Sequence, residues 1–429
     1  MEPTDLKVSR RTLLAGSALG LVSAAGLGTQ SSAQDDAVGR WIARNAEPLG
    51  DLSQLRRSIG GAQVVGLGEA VHGTAEITHL KLRVLRYLVE RLGFRAVAFE
   101  DDWSLGTQLN EYVLTGRGDL AALVGQLSTE SRTHEIAELF EYLREYNSTH
   151  RDKVRFAGSE YFATRPLAYD AIDEYVARRA PHRLAELRRS LLPIRPHLDD
   201  MGAYVQWYWQ QVKDKAPYIA KARAVLALVR ELPHRPNDRD YAITEHHARQ
   251  IHSFYEAFSL PEDRIWGYRD ARAAENVRWW HQFSRNKVVY WAANAHTANA
   301  PGLHFTVPQS EDVAFRNAGS FLRDWYGDRY RSVGCTFDHG TMVGPVALPA
   351  APTDWFEHRL TAARTGQFTL DLRQRPQPDA VRAWLHRSAR TRGLPEYGVS
   401  SYMTGGSPSE WFELVIHTRE VTPTHPLVS

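Results

Sequence analysis

The chain has 429 residues, 43% hydrophobic and 24% charged, with a formal net charge of +2 spread over interleaved acidic and basic residues. This is the make-up of a globular protein with room for a substantial core, and the lack of clustered basic residues argues against nucleic acid as a partner. The single cysteine, Cys335, excludes an intramolecular disulfide and any C-x-x-C metal or redox site.

In chain order, Ser9-Arg10-Arg11-Thr12-Leu13-Leu14 opens an uncharged run of small and apolar residues reaching about Gly28. Ser31-Ser32-Ala33 then offers a small-residue cleavage site ahead of Asp35-Asp36. Residues 1–33 therefore read as a twin-arginine export signal, and 34–429 as the mature domain. A membrane anchor is the rival reading, but the segment is rich in Gly, Ala and Ser and has no stop-transfer flank. The expected location is extracytoplasmic, secreted or periplasmic, with no stable membrane insertion after cleavage.

Val64–Leu67 is an apolar run that stops at Gly68 and is followed at once by Glu69 and His72. Ile77, Leu80, Val84, Leu85 and Leu88 form a helical stripe over 76–91, and Gly93 breaks it before a second apolar run at 95–99 that ends on Glu100. This is a strand–helix–strand crossover, which implies parallel pairing. An amphipathic helix over 135–146 leads to a third run at 154–158, near Glu160. Between about 166 and 261 no strand-like run stands out, and helical patterns at 183–191, 202–211, 216–232 and 241–258 take over. Val288–Trp291 restores the strand pattern and runs into Asn294 and His296, and short strands are expected at 330–335 and 411–418. The expectation is one α/β domain: a largely parallel central sheet flanked by helices, with a helical insertion at about 166–261 capping the C-terminal strand ends.

Four apolar runs that each deliver polar groups at their ends point to one shared site. Glu69 and His72 are its best-placed pair, because a carboxylate can orient a histidine that takes a proton from water. A solvated loop histidine beside a helix-capping glutamate is the bland alternative, and Glu100 and His296 at other strand ends weigh against it. No G-x-S-x-G elbow, H-E-x-x-H helix or glycine-rich phosphate loop is present. No cofactor is expected, although Glu69, His72, Glu100 and His296 could instead serve as two-His, two-carboxylate metal ligands. His246, His247 and His252 fall on a charged helix and read as a solvated face. Tyr204, Trp207, Tyr208 and Trp209 read as core of the insertion more readily than as a substrate wall.

The segment Gly66-Leu67-Gly68-Glu69-Ala70-Val71-His72-Gly73-Thr74-Ala75-Glu76 resembles the G-E-x-x-H-G-x-x-E motif of the erythromycin esterase family. The likeness continues through Lys81, Ala98-Phe99-Glu100, Leu143-Arg144-Glu145-Tyr146-Asn147, Tyr268-Arg269-Asp270, Glu275-Asn276, the segment from Trp291 to His296, and Gly319-Ser320-Phe321-Leu322. The resemblance implies a hydrolase opening a lactone or carboxylic ester, such as a macrolide, with activated water. His72 would be the general base, Glu69 and Glu100 its carboxylate partners, and His296 or Lys81 the cationic group that steadies the oxyanion. The partner would be a small-molecule ester, and host resistance to a macrolide is a conceivable role. Two departures stand out. The family's Trp-x-His-Asn-x-His reads Trp291-Ala292-Ala293-Asn294-Ala295-His296, and Gly158-Ser159-Glu160 replaces Gly-x-Asp. Loss of the first histidine leaves room for another substrate, or for a relative that binds a small molecule or haem without turnover.

Overall fold

The computed structural model describes residues 28–427 apart from 51, 162–163, 199 and 307–311, with side chains described from residue 37. The export-signal expectation falls largely outside these residues; a helix, Gly28–Asn45, is the first described element.

Among the described residues thirteen strands follow in order: β1 (Glu47–Pro48), β2 (Val64–Leu67), β3 (Ala96–Asp102), β4 (Arg155–Glu160), β5 (Val288–Trp291), β6 (Leu303–Phe305), β7 (Val313–Phe315), β8 (Tyr330–Met342), β9 (Val346–Leu348), β10 (Gln367–Asp371), β11 (Thr391–Arg392), β12 (Tyr402–Thr404) and β13 (Leu414–Val421). Nine build the central sheet in the order β1-β10-β13-β8-β2-β5-β3-β4, with β9 on β8. From β13 to β4 every pairing is parallel, and β1, β9 and β10 attach antiparallel. The fold is thus α/β with a mostly parallel sheet flanked by helices. β6, β7, β11 and β12 form a separate small antiparallel sheet.

The strands read as continuous apolar runs because both faces of the sheet are covered. Alternation along each strand divides the side chains between two cores. Val65, Leu67, Val97, Phe99, Val289 and Trp291 pack with the helices Ala75–Leu92, Trp103–Thr115 and His134–Thr149. Val64, Ala96, Ala98, Val288 and Tyr290 point the other way, toward the helices Glu262–Ser284 and Ala318–Tyr326. In one respect the crossover expectation is corrected. β2 and β3 run parallel but are not neighbours, because β5, nearly two hundred residues later, occupies the slot between them. A crossover helix fixes direction and hand, but leaves open whether the next strand lands one position away or two.

The insertion comprises the helices Pro166–Arg179, Leu184–Leu191, Met201–Gln210, Ala216–Glu231 and Arg239–Ala257, around a core of its own. Tyr204 and Tyr208 lie in that core as expected, with Tyr204 Oη 2.8 Å from Tyr255 Oη, while Trp207 packs at its margin. His246 and His247 correct the sequence reading: they are 0% and 3% exposed, not solvated. The reason is tertiary. Their helix face is pressed against Trp103 and Trp279, where Trp103 Nε1 donates to His247 Nδ1 at 3.3 Å and the His246 ring stacks 3.9 Å from Trp279. Arg249 and Glu245 carry the polar side of the same helix, as an ion pair at 3.0 Å.

Burial depresses both imidazoles, His247 to about 4 and His246 well below the ordinary histidine value. The unfolded chain binds a proton at each position below about pH 6.5 and the folded chain does not. Stability is therefore complete above that value and falls as the pH drops toward 4. His247 alone accounts for a loss of about 2 kcal/mol at pH 5. A His247→Leu variant is expected to show a smaller difference in urea midpoint between pH 7 and pH 5 than the parent protein.

Candidate active site

β2 ends at a tight approach. A Cβ on Gly68 would collide with the Asn294 and Thr297 side chains, so glycine lets the first strand-end loop lie against the fourth. Glu69 follows directly, and the next helix, Ala75–Leu92, carries Lys81 back beneath it. His72 Nδ1 lies 2.6 Å from Glu69 Oε1, and Lys81 Nζ donates to Glu69 Oε2 at 2.7 Å. Lys81 is 0% exposed, donates also to the Ala292 carbonyl at 3.3 Å, and sits 4.5 Å over the Trp291 ring. The His72 backbone N–H donates to Glu396. Burial pushes the Glu69 carboxyl up, but Lys81 and His72 outweigh it and hold the pKa below the usual value. Burial disfavours the His72 cation, yet Glu69, with Glu396 and Glu100, raises its pKa well above the ordinary one.

A second cluster gathers at the ends of β3, β4 and β5. His296 Nδ1 lies 2.9 Å from Asp270 Oδ1, and its Nε2 is 2.8 Å from Arg269 Nη1 and 3.1 Å from Glu100 Oε1. Arg269 Nη2 donates to Glu100 Oε1 at 2.6 Å, and the Ala293 N–H donates to Glu100 Oε2 at 2.7 Å. The Ala318 N–H fixes Asp270 at 2.8 Å. Burial would raise the Glu100 carboxyl, but His296 and Arg269 hold it well below the usual range. Where the family pattern has its first histidine, the Ala293 methyl packs into an apolar cluster with Phe356, Leu370 and Trp411, so only its backbone N–H serves the site.

Both clusters face one cavity of about 340 Å³, lined among others by Glu69, His72, Glu100, Arg269, Trp291 and His296. Further walls come from Ser128, Glu130 and Ser131, from Trp266 on the Glu262–Ser284 helix, and from Leu394, Glu396 and Tyr397. None of the described residues of the 166–261 insertion lines it. Of the five residues expected from sequence, four reach the cavity. Lys81 does not: it lies behind Glu69, where it can fix the carboxylate but cannot touch a substrate oxygen. Arg269 and Asp270 were visible only as part of a similar segment, with no role attached. Glu396 and Tyr397 sit on a short turn, Pro395–Tyr397, that has no periodicity to mark it.

As a metal site the donor set fits poorly. Both oxygens of Glu69 and of Glu100, and both ring nitrogens of His296, are already engaged by protein groups. Among the described residues no group of three or more His, Cys, Asp or Glu side chains is arranged to hold a metal ion.

A mostly parallel sheet thus presents a carboxylate–histidine pair and a buried Arg–His pair to one cavity at its strand ends, an arrangement suited to acid–base chemistry. The chain belongs to the erythromycin esterase family, whose model matches residues 89–421. It is 25% identical over 325 residues to "Erythromycin esterase type II" of Escherichia coli, covering 67% of this chain and 71% of that one. With the Bacillus subtilis (strain 168) protein "Putative hydrolase YbfO" it shares 24% identity over 284 residues, covering 60% of this chain and 62% of that relative, under two thirds of its length. Among solved structures, a Bacillus cereus protein superposes with a TM-score of 0.79 at 24% identity, covering 91% of this chain and 99% of that one. An erythromycin esterase variant in its open conformation gives 0.66 at 16% identity, covering 88% and 95%.

Proposed function

We propose that the protein hydrolyses a carboxylic ester or lactone, with His72 taking a proton from the attacking water. The observation that carries this reading is the tethering of His72 Nδ1 by Glu69 at 2.6 Å. With Nδ1–H donated to Glu69, the lone pair is on Nε2, which has no protein partner among the described residues. Water held there loses its proton to Nε2 as its oxygen attacks the ester carbonyl. Arg269 and His296, cations lining the same cavity, are the groups available to stabilise the oxyanion. Collapse of the tetrahedral intermediate breaks the carbon–oxygen bond, and the His72 imidazolium returns its proton to the leaving alkoxide. The products are an acid and an alcohol, or one ring-opened hydroxy acid when the ester is a lactone.

The names of the relatives make a macrolide lactone the first substrate to try. The cavity lies at the small end of the range for enclosed ligands, so a macrolide would insert its ester edge and leave the rest of its ring outside. The test is mass spectrometry of erythromycin, and of a panel of small lactones and aryl esters, incubated with the purified protein with and without a chelator. The expected product is substrate plus one water, formed equally in both conditions. Water addition that stops with the chelator would replace the proposal with a metal-dependent one, and a folded protein that hydrates no ester in the panel would overturn it.

A further inference from the structure

Behind the Arg269 guanidinium lies an acid that the reaction above does not use. Glu160 closes β4 and is fully buried; its Oε2 is 3.4 Å from Arg269 Nε, and its Oε1 has no hydrogen-bond partner among the described residues. The Tyr290 hydroxyl on β5, within the electrostatic reach of Glu160, is also buried and has no partner among the described residues. Buried polar atoms without partners are uncommon and expensive, which makes this corner of the site unusual. The Glu160 carboxyl meets the third edge of a guanidinium whose Nη2 donates to Glu100 and whose Nη1 lies beside His296 Nε2.

We infer that Glu160 is a positioning residue for the Arg269–His296 pair: it braces the guanidinium through Nε, and its ionisation helps keep the proton on His296 as the pH rises. This rests on the active-site reading above. The groups facing Glu160 are Arg269 and Asp270 from the long helix, His296 beyond β5, Glu100 on β3, Tyr290 on β5 and Tyr161 next to it in the chain. Burial lifts the Glu160 carboxyl to about 7 against the pull of Arg269 and His296. Burial and Arg269 push His296 down, but Asp270 and Glu100 outweigh them and raise it to about 9. Below pH 7 the cluster therefore sets two cations, Arg269 and His296, against two carboxylates, Glu100 and Asp270. Above it, Glu160 releases its proton to water and adds a third carboxylate, which attracts the His296 proton. The coupling is electrostatic, and no proton crosses the guanidinium.

The experiment is an NMR titration of the full chain labelled with [15N]histidine, with the His296 signals assigned by their loss in His296→Gln. In the parent protein they are expected to show a small step near pH 7 and to lose the proton near pH 9. Glu160→Gln is expected to erase the step and lower the His296 midpoint by about one unit. Glu160→Asp should keep a step, moved to lower pH. The alkaline limb of kcat follows the midpoint while KM stays within about twofold, as expected of a change confined to the transition state. A folded Glu160→Gln protein whose His296 titrates like the parent overturns the inference. If Glu160→Gln fails to fold by circular dichroism, an unmoved step in Glu160→Asp overturns it instead. The titration needs no turnover, so failure of the ester assay and failure of this inference remain distinguishable.

Discussion

His72→Gln is expected to lower kcat for ester hydrolysis by about 10²- to 10⁴-fold, the range in which a positioned general base contributes. KM should change little, because His72 acts on water and not on the ester's binding groups. Some rate above water should survive, since Arg269 and His296 still face the developing oxyanion. Steady-state kinetics on whichever ester the mass-spectrometric panel identifies provides the check, and a variant retaining half the parent's kcat would remove His72 from the mechanism. The pH dependence gives a second test of the same assignment. Burial opposes the His72 cation, but Glu69, Glu396 and Glu100 raise its pKa well above the ordinary histidine value. A base must be neutral to work, so kcat/KM should climb with pH through that raised value and then fall as His296 loses its proton near 9. Glu69→Gln removes the main support for the His72 cation, and its acid limb should move to lower pH. An acid limb at the same pH in parent and Glu69→Gln would mean that another group is the base.

The strand ends were legible because a parallel sheet covered on both faces writes its strands as unbroken apolar runs. Val64–Leu67 and Val288–Trp291 coincide with β2 and β5, and each delivers its polar group to the cavity. Strand order was not legible. Nothing local to β2 or β3 says that β5 will separate them, since the pairing is decided by contacts with a strand that begins only at Val288. The histidines of the insertion misled for a related reason. Charged neighbours mark one side of a helix as exposed, but which side carries His246 and His247 depends on how the helix is docked against Trp103 and Trp279. Arg269 and Asp270 escaped assignment because they lie inside a long helix, Glu262–Ser284, and not at the end of an apolar run. Here both are buried, with Asp270 paired to His296 Nδ1 and Arg269 lying against its Nε2. Lys81 shows the limit of resemblance: its position matched the family, but only the geometry separates a group that touches substrate from one that anchors a carboxylate.

That anchor also makes the site a point of structural fragility. Lys81 is an ammonium with no access to solvent, and its only charged contact among the described residues is Glu69 at 2.7 Å. Removing one partner of such a pair strands a buried charge, which costs about 3–5 kcal/mol. Glu69→Ala is therefore expected to destabilise the fold by about that amount, read as a lower urea midpoint, besides abolishing the orientation of His72. Lys81→Met should cost less, because Glu69 keeps His72 as a partner at 2.6 Å and borders the cavity, while methionine refills most of the lysine stem's volume against Trp291. The double variant Glu69→Ala/Lys81→Met separates the two effects. With both charges gone it should be more stable than Glu69→Ala alone, even though it carries one more substitution in the core. Additive losses in that cycle would show that Glu69 supports the fold by packing and not by neutralising Lys81. A gain in stability without any return of activity is the expected result, since the double variant removes the stranded ammonium but still lacks the carboxylate that orients His72.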